Sequence, residues 1–493
     1  LVRVFASPST EGVWFAWEEP SRRPERGRSI FLGRLDARGL VPAPESSLAL
    51  HGQDPLLPLF AATPSGLSLI TEAPRCAAPD RCAEAPLERL VVRTAPDGSD
   101  VKAHALEVQD ELVVPASMVW DLTCSLRGCF ALAAGRGSDT LVRLLDMDTG
   151  LAVVPPLSPA RKEVSPRVVA QEIVGEVPEL SSLRGTSDAQ GALLSWVSYF
   201  DDNLPYETPT RPAPDGRMAP VRAVLETQRV TDVVTPPATS PEMKVTSEQI
   251  LSYRARSWAG VGLATARATT ASAGTSGAAA ASSSNLVAWA ALDGKIPQLF
   301  LTLVDAAGKK VLQKMHKHPD GEVTDVVAVA TSQGFVVAWV DGRGGATRVY
   351  AAAFDRELKL IGQEHELTSN SLEPTELTLL RLGQRVLLVW SDSLGAARPG
   401  HGDLHAISLD ESAAPVSAER RVAPSELHSH SPSIVAWGQR GDTALLGWLE
   451  SEPNSTGSGS SSLFVTEVYA EGRIVTAATE VSLPGQARGF SAH

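Results

Sequence analysis

Carboxylates, histidines and cysteines recur in this chain at spacings that could do chemistry. Asp201, Asp202 and Glu207 cluster in a segment rich in proline and acids. Two carboxylates about 5–10 Å apart across a cleft can hydrolyse a glycosidic bond, but the sequence shows no opposing partner for this cluster. A second set of acids, Glu19, Glu72, Asp341, Asp392 and Glu450, follows a recurring apolar strand at a fixed offset. A ring of carboxylates would attract cations or a basic partner. The same acids can instead cap the turns that follow the strand, and their repetition favours that structural role. Histidines fall in close pairs: His316 with His318, His401 with His405, and His428 with His430. A His-x-His pair on a strand sets both rings on one face, which can serve a metal. All three pairs lie near turns or strand ends, so no metal site is assigned.

The four cysteines form two close pairs, Cys76 with Cys82 and Cys124 with Cys129, with five and four residues between the partners. Two complete pairs point to two local disulfides and an oxidising compartment. Structural zinc favours tighter spacing. Free thiols, and cross-pairing between the two segments, stay open at this level. The sequence carries no Walker loop, HExxH, GxSxG or EF-hand loop, so neither catalytic residues nor a cofactor are assigned.

Composition narrows the classes further. Of 493 residues, 57 are acidic and 44 basic, for a formal charge of −13. That balance disfavours non-specific nucleic-acid binding, which needs a basic surface to displace counterions. No apolar run reaches the about 18 residues of a membrane-spanning helix. The opening LVRVFASPS reads as a strand rather than a signal peptide, which implies a chain whose start lies upstream.

The elements that must position these residues form a repeat. An apolar strand recurs, ending at Trp17, Ile70, Ala133, Trp196, Trp289, Trp339, Trp390 and Trp448, with gaps of 53, 63, 63, 93, 50, 51 and 58 residues. It is apolar on both faces, as expected of a strand sandwiched between neighbouring sheets. The terminal Trp is therefore read as a packing residue. A strand entered through Pro55, Pro178, Pro374 or Pro432 precedes the marker, and a third strand follows it, closing on a hairpin turn such as Leu35-Asp36-Ala37-Arg38-Gly39. Eight such units predict an all-β chain forming a single β-propeller of eight four-stranded blades, with seven as the alternative. The blades run approximately over 1–50, 51–110, 111–165, 166–245, 246–318, 319–368, 369–424 and 425–493 of one domain, 1–493, with a flexible Ala/Ser/Gly insertion at 269–284.

The segments VVAWVDGRGGATRVYAAAFD and VLLVWSDSLGAARPGHGDLHAISLD resemble repeats of secreted bacterial β-propeller proteins, in which a Trp-x-Asp turn joins two strands. The sialidase-type Asp box and the WD-repeat signatures are absent. Asp148-Thr149-Gly150 is similar to the turn of quinone-dependent propeller dehydrogenases but occurs once, without their following Trp. The resemblance implies a fold and export to the periplasm, outer-membrane surface or extracellular space, and no activity. The expectation is a non-catalytic binding or scaffold propeller for a protein or glycan partner, with Tyr199, Phe200, Asp201, Asp202, Tyr206 and Glu207 as the candidate interaction loop. A carbohydrate-active hydrolase or lyase with its site at the central channel is one alternative. An accessory subunit of a larger envelope assembly is another.

Overall fold

The computed structural model describes strand backbone at intervals from Val13–Pro20 to Thr479–Glu480, and side chains in stretches within residues 285–481. Every marker segment read from the sequence is a strand, from Val13–Pro20 through Phe335–Asp341 to Thr443–Ser451. Each described ladder is antiparallel, and all but the one between Glu242–Ala255 and Ser284–Asp293 join strands consecutive in the chain.

Four complete four-stranded sheets stand alone. One runs from Leu56–Thr63 to Lys102–Ala105, one from Val323–Ala330 to Leu360–Glu366, one from Pro374–Leu382 to Arg420–Val422, and one from His428–Trp437 to Thr479–Glu480. Three strands are described in the sheets that begin at Val13–Pro20 and at Met118–Ser125. Between Arg184–Asp188 and Lys310–His316 eight strands run into one sheet, bridged at its middle by the single pair Arg254↔Leu292. Ala264–Ala268 and Ser284–Asp293, which flank the Ala/Ser/Gly insertion, pair directly with each other.

The chain divides into two compact units, one of residues 1–107 with 365–493 and one of residues 108–364. Within each unit the sheets stack face to face. In the second unit Leu286, Leu301 and Leu303 share one apolar cluster with Val326, Val337, Trp339 and Ala352 of the next sheet. In the first unit Leu387, Val389 and Ala406 share a cluster with Ile434, Leu446 and Trp448 of the next. Consecutive stacked four-stranded meanders are a propeller-type repeat fold. The second strands are buried along their length: all seven residues of Phe335–Asp341 and all nine of Thr443–Ser451 are inside. Trp289, Trp339, Trp390 and Trp448 are each fully buried.

The hairpin between third and fourth strands is built as its sequence suggests, with one difference. Asp355 Oδ1 accepts the N–H groups of Glu357 and Lys359, and Asp410 Oδ1 accepts those of Ser412 and Ala414. The left-handed position of this turn suits glycine, which tolerates positive φ. Gly472 fills it in one sheet at φ 73°, but Leu358 and Ala413 occupy it in two others at φ 55° and 64°. The aspartate lock holds an L-residue in a conformation that costs about 1–2 kcal/mol.

A bulge recurs in the first strand of the sheet, between Leu56 and Leu59, Val119 and Asp121, Val323 and Val326, Thr375 and Thr378, and His430 and Ser433. Pro374 opens its strand as predicted. Pro432 does not. The strand starts earlier, at His428, and Pro432 sits inside the bulge, where a missing N–H leaves no rung unpaired.

Candidate functional site

The described acids that follow the marker strand, Asp341, Asp392 and Glu450, are each engaged by nearby donors; the side chains of Glu19 and Glu72 lie outside the described residues. Asp341 is fully buried against Gly321, where a Cβ would strike its carboxylate. Its Oδ1 accepts the Arg343 N–H (3.1 Å) and its Oδ2 the Arg343 guanidinium (2.8 Å), so it caps its own turn. Arg343 continues to Glu364, and Glu364 to His316 Nε2 (2.7 Å). The guanidinium lies 3.7 Å above the Tyr350 ring. Asp392 Oδ1 accepts the N–H of Glu373 (3.0 Å), in the segment that leads into the first strand of its own sheet. Glu450 accepts from Trp448 Nε1 (2.9 Å), Ser425 Oγ (3.1 Å) and Ser429 Oγ (3.4 Å). Three consecutive sheets thus use one buried acid at one register position to fix different neighbours.

The histidine pairs separate in the same way. His405 is buried, stacked on Trp390 at 5.7 Å and paired with Glu419 at 2.8 Å. His316 meets Trp339 and Phe354 edge-on. His318 and His401 lie outside the described residues. His428 and His430 do share a face, and their rings stack at 5.2 Å. Among the described residues no group of three or more His, Cys, Asp or Glu is arranged to hold a metal ion.

The stacked pair belongs to a polar cluster that sequence reasoning missed. It lies where the first strands of two neighbouring sheets, Pro374–Leu382 and His428–Trp437, come together in the first unit. Glu376 and Ser431, both at their bulges, have left-handed backbone at φ 54° and 52°. The Glu376 carboxylate accepts from the Ser431 N–H, from Ser431 Oγ (3.1 Å) and from Ser391 Oγ (2.9 Å). Ser391 Oγ lies 3.0 Å from Thr375 Oγ1, and Ser431 Oγ lies 3.1 Å from His430 Nδ1. His428 Nδ1 accepts the N–H of Gly402 at 2.7 Å, and the Gly402 carbonyl accepts from Ser429 N–H at 2.9 Å. A side chain at Gly402 would run into the His428 ring and the Asp392 carbonyl. Burial holds the His430 pKa below its ordinary value; the Glu376 charge opposes that shift, and His428 adds to it. The cluster is a hydrogen-bonded polar seam with one exposed carboxylate.

The expected interaction loop is only partly described. Strand Gly191–Asp201 runs through Tyr199, Phe200 and Asp201, which pair with Ala223, Arg222 and Val221. The marker strand therefore extends five residues past Trp196, and those three residues lie on a ladder rather than in the loop. Asp202, Tyr206 and Glu207 lie outside the described residues, as do Cys76 and Cys82. Cys124 and Cys129 sit opposite each other on one hairpin.

No family model matches the chain, and no curated protein does. Solved structures similar to it include the β-propeller domain of the Trilobed protease from Pyrococcus furiosus, at 5% identity and a TM-score of 0.38 over 86% of this chain and 97% of that one. A putative TolB from Agrobacterium tumefaciens aligns at 12% identity and 0.28 over 57% and 82%. An endo-arabinase from Bacteroides thetaiotaomicron aligns at 11% identity and 0.28 over 59% and 94%. Likenesses at these scores assign no residue a role.

Proposed function

We propose that the chain is an exported, non-catalytic β-propeller of eight four-stranded blades that acts as a binding or scaffold module. It presents loop-rich rims to a protein or glycan partner in the cell envelope or outside the cell. The observation that carries this reading is the fate of the acids. Asp341, Asp392 and Glu450 are buried and engaged by donors of their own sheets. Glu364 and Glu411 are held in ion pairs with Arg343 and Arg381, and Glu419 lies 2.8 Å from His405 Nδ1. Carboxylates committed to fixing turns and strands give up the freedom that proton transfer to a substrate requires. A rigid scaffold then leaves recognition to its loops, and the segment that follows strand Gly191–Asp201, up to Pro220, is the interaction surface. The paired cysteines support export.

The test uses the full chain. Saturable binding to a defined envelope glycan or envelope protein, without turnover, is the expected result. Hydrolysis of a polysaccharide that disappears in Glu376→Gln would overturn the reading in favour of a carbohydrate-active enzyme, since that carboxylate is exposed on a first strand.

A further inference from the structure

The two repeat units that lack the marker tryptophan are the two that carry cysteines. Ile70 stands at the Trp position in strand Gly66–Pro74, and Cys76 and Cys82 follow it. Ala133 stands there in Gly128–Ala134, and Cys124 and Cys129 flank the preceding turn. In the sheets whose side chains are described, that tryptophan is a fully buried core residue. An alanine in its place removes a large part of the apolar surface that holds such a sheet against its neighbours.

The backbone of the Ala133 unit supplies a substitute. Met118–Ser125 pairs with Gly128–Ala134, Ser125 lies opposite Gly128 with two residues between them in sequence, and Cys124 opposite Cys129 is the next rung. In a hairpin with a two-residue turn the closing pair is hydrogen-bonded and the next pair is not. Residues facing each other at such a rung have Cα atoms about 4.5 Å apart, within the roughly 4.4–6.8 Å that a disulfide spans.

We propose that Cys124 and Cys129 are joined by a disulfide across this hairpin, and that the covalent rung replaces the missing tryptophan as the staple of its sheet. The two thiols lose two protons and two electrons to a disulfide oxidant, such as a small-molecule disulfide or a thiol–disulfide oxidoreductase, which is released as its dithiol form. The oxidant rests on the export reading above, whereas the pairing is a property of the hairpin.

The full chain is incubated with oxidised glutathione, its remaining thiols are blocked, and it is digested with trypsin without reduction. Arg127 lies between the two cysteines, so the expected product is two tryptic peptides held by one Cys124–Cys129 bond. Bonds from either residue to Cys76 or Cys82, or blocked thiols at both positions, overturn the pairing. Hydrogen exchange tests the staple. Reduction, or the double substitution Cys124→Ala with Cys129→Ala, is expected to speed exchange about ten-fold or more at residues 118–134, because local opening depends on local constraint, and to leave residues 335–354 unchanged. Equal exchange before and after reduction overturns the staple. Formation of the bond in vitro, with free thiols at both positions in the protein recovered from whole cells, would overturn the export reading and leave the pairing standing.

Discussion

Glu376 accepts hydrogen bonds from both the backbone N–H and the hydroxyl of Ser431, joining the first strands of two neighbouring sheets, and both residues have left-handed backbone. Strained backbone outside glycine persists only where surrounding contacts fix it. Here the contact that fixes each residue is the other. The carboxylate also needs the Ser391 hydroxyl, so the seam ties first and second strands together as well.

Glu376→Gly and Glu376→Ala separate the two effects. Both remove the carboxylate, which costs about 1–3 kcal/mol for charge-assisted bonds. Glycine also removes a left-handed penalty of about 1 kcal/mol that alanine keeps. Chemical denaturation should therefore show Glu376→Gly as the more stable of the two. Equal loss would mean that the backbone is not strained.

The left-handed turn position gives a second contrast. Ala413→Gly is expected to stabilise by up to about 1 kcal/mol, because little more than one methyl is lost. Leu358→Gly releases the same backbone but removes a side chain that is 3% exposed and belongs to the apolar cluster. At about 2–5 kcal/mol for truncating a buried leucine, packing outweighs strain, and thermal unfolding should shift in opposite directions for the two variants.

Trp448→Phe removes an indole N–H from the buried Glu450 carboxylate. An expected loss of about 2 kcal/mol follows from leaving a buried charged acceptor short of a donor. Adding Glu450→Gln should recover part of the loss, since a neutral amide demands less from its donors. If the second change adds its full cost instead, the two side chains are not coupled.

Acid should loosen the seam. The His430 pKa is lowered by burial in the folded chain, so the unfolded chain binds more protons as pH falls through the ordinary histidine range near about 6.5. Stability is therefore present above that range and declines as pH drops through and below it. Protonation of His428 at Nδ1 would also break its bond to the Gly402 N–H. Asp410 loses its contribution in a separate, lower window: burial raises its pKa, but bonds from Ser412 and Ala414 outweigh that and hold it below the ordinary 3.8. Melting temperature measured from pH 7.5 to 5 should fall for the native chain and fall less for His430→Gln. Parallel curves would remove the histidine from the account.

The sequence by itself determined the repeat. A strand apolar on both faces can only be a strand buried on both sides, so the positions of Trp289, Trp339, Trp390 and Trp448, the meander order and the aspartate-led turns were all legible from local pattern. Tertiary structure decided what identical positions do. Asp341, Asp392 and Glu450 share one offset from the marker, yet one caps its own turn, one holds the approach to the first strand and one serves a tryptophan and two serines, because partners from 2 to 25 residues away choose among the acids. The bulges at Glu376 and Ser431 left no sequence signal, since neither residue is a glycine and the contact that stabilises both spans 55 residues. Left-handed backbone is ordinarily written in the sequence as glycine; here it is set by a hydrogen bond between sheets, which exists only once the sheets have stacked.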